Sequence, residues 1–201
     1  MLVDVHPENP QKRLIIRIAE ILKSGGVIAY PTDTTYGFGC SLFHKKAIET
    51  IYKIKNIPPH KPLSFICKDI SQASHYANIP DYAYRIMKKT MPGPYTFIFP
   101  ATAEIPKIML RKRKHVGIRI PSNPISESLL EEMDEPIINS TVVDGGCPLC
   151  DPELIYDKFY NQTDAIVSGG ILNGDTSTVI DFTGDEPVVV REGCGSVEGL
   201  F

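Results

Sequence analysis

The sequence predicts an α/β fold: a twisted, mixed parallel and antiparallel sheet with flanking helices, in a single domain over residues 1–201. Apolar residues recur alternately at helical and at strand spacing along most of the chain. The last two β-runs, 177–182 and 187–191, have no helix between them, so the sheet should finish antiparallel. A chain of 201 residues that is 42% apolar can bury one substantial core, and it contains no linker, repeat or low-complexity tract.

Asn9-Pro10 reads as an N-cap and first helical residue, with Leu14, Ile15, Ile18, Ala19, Ile21 and Leu22 on one helical face until Gly25-Gly26 ends the helix. Val27–Tyr30 reads as a short buried strand. A second helix is expected over 44–55 through Ala47, Ile48, Ile51 and Ile54, then a strand over 63–67 after the proline-rich segment 57–62. Helical stretches follow near 69–77 and 80–90, strands at 95–99 and 116–120, and a helix at 124–133 opened by Pro124. Ile137-Ile138 opens another strand, 152–160 reads as a helix, and β-runs at 164–168, 177–182 and 187–191 complete the chain. Ligands are expected in a crevice beside strand ends and loops.

Composition excludes several classes. The first residues lack a basic region followed by an apolar one, and no stretch approaches the roughly 18 apolar residues of a membrane span, so a cytoplasmic protein is expected. Five cysteines, scattered and odd in number, suit a reducing compartment. Cys147 and Cys150 have metal-knuckle spacing but lack the second pair of ligands that a closed site needs, so no metal held by protein side chains is expected. The formal charge of −3 hides an asymmetry: residues 1–120 carry 19 Lys+Arg against 8 Asp+Glu, and residues 121–201 carry 2 against 16. Either an anionic partner such as a nucleotide or RNA meets the basic part, or the acidic part simply faces water. The run Arg111-Lys112-Arg113-Lys114-His115, with Lys107 before it, is a candidate contact for RNA phosphates or else a solvated loop.

The most unusual segment is Pro31-Thr32-Asp33-Thr34-Thr35-Tyr36-Gly37-Phe38-Gly39. Hydroxyls and free N–H groups in a glycine-containing turn can hold a carboxylate or phosphate. The plainer reading is a polar turn in which Asp33 makes an Asx-type bond.

This segment resembles the opening Pro-Thr-Asp/Glu-Thr-Val-Tyr-Gly-Leu-Gly of the YrdC/YciO family of threonylcarbamoyl-AMP synthases and their relatives, differing mainly at Thr35 and Phe38. Further similarities follow in order: Pro92-Gly93-Pro94-Tyr95-Thr96, Gly117-Ile118-Arg119-Ile120-Pro121, Ser177-Thr178-Val179-Ile180-Asp181 and Val190-Arg191-Glu192-Gly193. Two departures stand out. The family's Ile-Lys-Gly-Arg-Pro and Lys-Pro-Leu become Ile54-Lys55-Asn56-Ile57-Pro58 and Lys61-Pro62-Leu63, so the lysines are kept and the arginine is Ile57. The family's Ser-x-Asn becomes Ser140-Thr141-Val142. Guanidinium and amide groups can bind phosphate and nucleotide where Ile and Val cannot, and the losses make the chain most similar to the YciO branch.

The resemblance implies an open sheet with a concave basic site. It also implies a reaction of L-threonine, bicarbonate and ATP, with Mg²⁺, giving threonylcarbamoyl-AMP and pyrophosphate for tRNA modification. By the same resemblance Thr32, Thr34 and Tyr36 would bind the amino acid, Arg119 a carboxylate or phosphate, and Lys55 and Lys61 phosphate or carbamate as catalytic groups. Ser140, Ser177, Thr178 and Arg191 would contact the nucleotide. The competing expectation is a protein that binds tRNA, double-stranded RNA or the ribosome without turnover.

Overall fold

Ten strands pair into one mixed sheet in the computed structural model, which describes residues 1–59, 61–105 and 114–201. In chain order the elements are β1 Leu2–Asp4, α1 Lys12–Lys23, β2 Ile28–Pro31, β3 Tyr36–Ser41, α2 Lys45–Ile54, β4 Ser64–Ile66, α3 Ile70–Tyr76, α4 Asp81–Thr90 and β5 Tyr95–Pro100. There follow β6 His115–Arg119, α5 Pro124–Met133, β7 Ile137–Thr141, β8 Val143–Asp144, β9 Cys147–Pro148, α6 Pro152–Phe159, β10 Ala165–Ser168, β11 Thr178–Asp181 and β12 Val188–Arg191. The large sheet runs β1-β10-β2-β3-β7-β4-β6-β5-β11-β12, and β8 and β9 form a separate small hairpin. Its last pair, β11 with β12, is antiparallel as expected.

Three of the six helices among the described residues are started by side chains that accept the first free amides. Asp69 caps α3 at Gln72 N, Asn123 caps α5 at Ile125 and Ser126 N, and Asp151 caps α6 at Glu153 N. The expected start of α1 at Asn9-Pro10 is corrected. His6 Nδ1 already accepts from Glu8 N and Asn9 N, which ties that segment into a turn, and the helix begins instead at Gln11, whose carbonyl accepts from Leu14 N and Ile15 N. Ser24 ends it, and Gly25 turns the chain at φ +88°.

Strand alternation divides the core in two. Phe38, Phe65, Phe97, Phe99, Ile118 and Ile138 face one side, where α2, α3, α4 and α6 add Ile51, Ala73, Met87 and Ile155. Ile28, Tyr30, Ile66, Ile137 and Val167 face the other, where α1 and α5 add Ile18, Leu22, Leu129 and Leu130. No residue of β5, β6 or β11 belongs to this second cluster. On those strands the second face presents Thr96, Ile98, Gly117, Arg119 and Val179, a mixture of polar and apolar residues outside the helix-packed layer of this side. Half of one sheet face is thus covered by helices and half is bare of them.

The described residues include no helix long and apolar enough to cross a membrane. Lys107 and Arg111–Arg113 of the expected basic run lie outside the described residues.

Candidate functional site

The segment after β2 is where the sheet face becomes polar. Thr32 organises a tight turn with its own hydroxyl: Oγ1 donates to Thr35 O at 2.7 Å and accepts from the amides of Thr34 and Thr35 at 3.3 Å. Asp33 does not make an Asx-type bond. Its carboxylate pairs with Arg119, which reaches over from the end of β6 and is only 4% exposed. The same guanidinium nitrogen of Arg119 donates to Thr32 Oγ1 at 3.2 Å and Thr34 Oγ1 at 2.8 Å. From the other side, α5 anchors the turn through Ser126 Oγ to Pro31 O at 2.6 Å and Asn123 Nδ2 to Thr32 O at 3.3 Å. The turn is therefore locked to strand and helix before any ligand arrives.

The half of the 31–39 segment read as a turn from its glycines is strand β3. Tyr36, Phe38 and Cys40 point into the first core cluster, leaving Gly37 and Gly39 on the site face. Those glycines are needed there. A methyl at Gly37 would overlap Asn139 Oδ1, and one at Gly39 would stand 2.7 Å from the Tyr30 ring. Asn139, 5% exposed, sits beside Ser64, whose hydroxyl donates to the Asn139 carbonyl at 3.2 Å. Asp33 is expected from sequence only as a turn residue, and neither Asn139 nor Tyr30 is among the expected site residues; the one signal for Asn139 is a polar amide directly after the apolar pair Ile137-Ile138 of a buried strand.

The other expected site residues fall into three places. Tyr36 lies at the edge of the turn with its hydroxyl donating to Gly170 O at 2.7 Å and accepting from Gly169 N at 3.0 Å; burial pushes it up to about 12. Ser177 and Arg191 meet on the bare sheet face. Arg191 donates to the Ser177 carbonyl from Nε at 3.0 Å and from its terminal nitrogen at 2.8 Å, and Ser177 Oγ lies 2.9 Å from Thr96 Oγ1. Burial and the charge of Arg119 hold Arg191 below its usual range, which places the two guanidinium groups within each other's field. Thr178 turns to the opposite face, where its hydroxyl donates to Gly195 O at 2.6 Å and accepts from Gly193 N at 2.9 Å.

Lys55 and Lys61 form a separate cationic end. Lys55 follows α2 and its ammonium donates to the Thr141 carbonyl at the end of β7. Burial first, and the charge of Lys61 second, bring its pKa down to about 8. Ser140 pairs with Phe38 across β3 and β7 and so shares the face of the first core cluster, away from Ser177 and Arg191. Val142 is fully buried in that cluster, and Ile57 packs against it. The described residues contain no group of three or more His, Cys, Asp or Glu able to hold a metal. Cys147, in β9 of the small hairpin, and Cys150, two residues after it, are free thiols.

Residues 20–193 match the Sua5/YciO/YrdC family model, described as "telomere recombination". The chain belongs to this family. It is 45% identical to the uncharacterized protein YciO of Escherichia coli K12 over 197 residues, 96% of each chain. The crystal structure of E. coli YciO superposes with a TM-score of 0.96 over 100% of this chain and 99% of that one, at 43% identity. More distant is the threonylcarbamoyl-AMP synthase of Pyrococcus abyssi, 31% identical over 182 residues, 89% of this chain and 54% of that protein. The crystal structure of P. abyssi Sua5 complexed with L-threonine has a TM-score of 0.90 and 28% identity, covering 96% of this chain and 57% of that one. The Sua5/YciO/YrdC sheet, with its mixed strands and flanking helices, is thus the fold of this chain.

Proposed function

We propose that the chain catalyses chemistry of the threonylcarbamoyl-AMP synthase type, in which L-threonine, bicarbonate and ATP give threonylcarbamoyl-AMP and pyrophosphate for tRNA modification. The observation that carries this reading is the turn Thr32–Thr35 locked onto buried Arg119 beside the helix-free half of the sheet face. It offers an oriented cation for an amino-acid carboxylate, and a Sua5 relative has been crystallised with L-threonine.

In this reading the amine of L-threonine takes up bicarbonate with loss of water, and a carbamate oxygen then attacks the α-phosphorus of ATP as pyrophosphate leaves. Such a reaction asks the protein for positioning and charge, with little covalent work. Arg119 and the threonine hydroxyls orient the amino acid, Lys55 and Lys61 face carbamate or phosphate, and Ser177 with Arg191 line the nucleotide side. Mg²⁺ carried with ATP as part of the substrate would supply charge neutralisation on the triphosphate. Ile57 and Val142 leave the phosphate end poorer in donors than the pattern Arg and Asn would, so turnover is slow.

The test is ATP and L-threonine binding by calorimetry, with bicarbonate and Mg²⁺, followed by pyrophosphate release on the same samples. Threonine-dependent release is expected; absence of both bindings overturns the proposal. The competing reading, binding of tRNA or double-stranded RNA, draws on the basic excess of residues 1–120. It requires affinity for RNA that collapses between about 50 and 200 mM salt, which a small-ligand pocket does not show.

A further inference from the structure

Among the described residues, four buried side-chain atoms lack a hydrogen-bond partner: the Tyr30 hydroxyl, Asp33 Oδ2, Arg119 Nε and Asn139 Oδ1. Tyr30 on β2, Asn139 on β7 and Arg119 at the end of β6 share one sheet face, and Asp33 lies in the turn that Arg119 holds. Buried polar atoms are normally paired, because the water they give up must be replaced. A group of orphans in one region marks a place where partners come from outside the chain.

Tyr30 is the member with no role so far. It is wholly buried, and its ring lies across Gly39, held in the second core cluster with Ile66 and Ile137. Burial pushes the phenol far above its usual range while the positive charge of Arg119 pulls it down, so the hydroxyl keeps its proton and lies in the field of the guanidinium. Arg119 commits its terminal nitrogen to Thr32, Asp33 and Thr34, but Nε donates to nothing among the described residues. Two donors therefore lack an acceptor, while Asp33 Oδ2 and Asn139 Oδ1 lack a donor.

We propose that Tyr30 is a ligand-binding residue whose hydroxyl, together with Arg119 Nε, receives a carboxylate oxygen of the bound amino acid. The proposal rests on the reading that the amino-acid end of the ligand lies against Arg119. Asp33 Oδ2 and Asn139 Oδ1 then suit the N–H and O–H groups of the same ligand. A purely structural tyrosine would have its hydroxyl paired in the free protein, and removing the oxygen would destabilise the fold.

The test is Tyr30→Phe, compared with the wild type by thermal melting alone and with L-threonine or acetate, and by calorimetry with L-threonine. Without ligand the variant should melt at or above the wild-type temperature, because an unpaired buried hydroxyl has been removed. Its affinity for L-threonine should fall by about 10-fold or more, as for loss of a hydrogen bond to a charged group. A lower melting temperature without ligand, or equal responses of both proteins to both ligands, overturns the proposal. If the wild type ignores L-threonine but is stabilised by acetate, and Tyr30→Phe loses that stabilisation, the threonine reading fails and the role of Tyr30 stands. A wild type that responds to neither ligand overturns both.

Discussion

The two ends of the site are built on opposite plans. At the Arg119 end a buried cation is held by a carboxylate and two hydroxyls, on a turn fixed by α5. At the Lys55 end two ammonium groups stand close enough to lower the pKa of one of them, and no carboxylate pairs with Lys55 or Lys61 among the described residues. Of the neighbouring positions, Val142 is buried in the apolar core and Ile57, half-buried, packs against it. One end is preorganised and electrically balanced; the other keeps unbalanced positive charge beside a wall that cannot hydrogen-bond. In the proposed reading, selectivity for the small, carboxylate-bearing part of a ligand would rest on the fixed end, and grip on phosphates on the charge the lysines retain.

The largest effect should come from cutting the balanced end. Arg119→Ala strands the Asp33 carboxylate and should cost about 3–5 kcal/mol by urea denaturation, as expected when one member of a buried pair is lost. Next, Val142→Asn puts an amide into a fully buried apolar position and should cost about 1–3 kcal/mol. Combined with Ile57→Arg, it should nevertheless tighten ATP binding by calorimetry, because the phosphate end regains donors. Gly37→Ala lies between the ends. Its methyl displaces the Asn139 side chain, and overpacking of about 1–2 kcal/mol is expected in the same assay.

The smallest effect on stability, and the sharpest on charge, is expected for Lys61→Ala: within about 0.5 kcal/mol, as for most exposed sites. Removing its charge should raise the pKa of Lys55 from about 8 toward 10.5 without fully restoring it, since burial is the larger cause; lysine side-chain NMR against pH reads this directly. In the wild type, between about 8 and 10.5, the unfolded chain keeps a proton that the folded Lys55 has lost. Stability from this group is therefore present above the upper value and is lost as pH falls through the lower one. Anion binding runs the other way and should weaken as pH rises past about 8, when the ammonium is neutralised.

Most helices and strands were legible because each has one strong period. The amphipathic faces of α1 and α2 and the alternating Tyr95–Phe99 run have no competing reading. β3 was hidden by its glycines: Tyr36-Gly37-Phe38-Gly39 looks like a turn locally, and only the close approach of Tyr30 and Asn139 explains why the small residues sit in a strand. β1 is three residues long, too short for any period, and exists because β10 pairs with it. In the site, Arg119 stood out as a charge on an apolar strand, but its partner Asp33 could not be read, since the pair is 86 residues apart in sequence. The face taken by Ser140 depends on register with Phe38, which is likewise a property of the assembled sheet.

The strand order also dictates when this protein can fold. The strands of the first 120 residues make only separate pieces: β1 alone, the β2–β3 pair, and β4-β6-β5. β7 joins β3 to β4, and β10 joins β1 to β2, so both connections arrive late in the chain. During synthesis, roughly 5–20 residues per second, the emerging basic portion must wait for its acidic remainder before the sheet can close. Until then its inner edges, at β1 and β2 and at β3 and β4, remain open to other chains, so the yield of native protein should depend on how quickly residues 137–141 and 165–168 leave the ribosome.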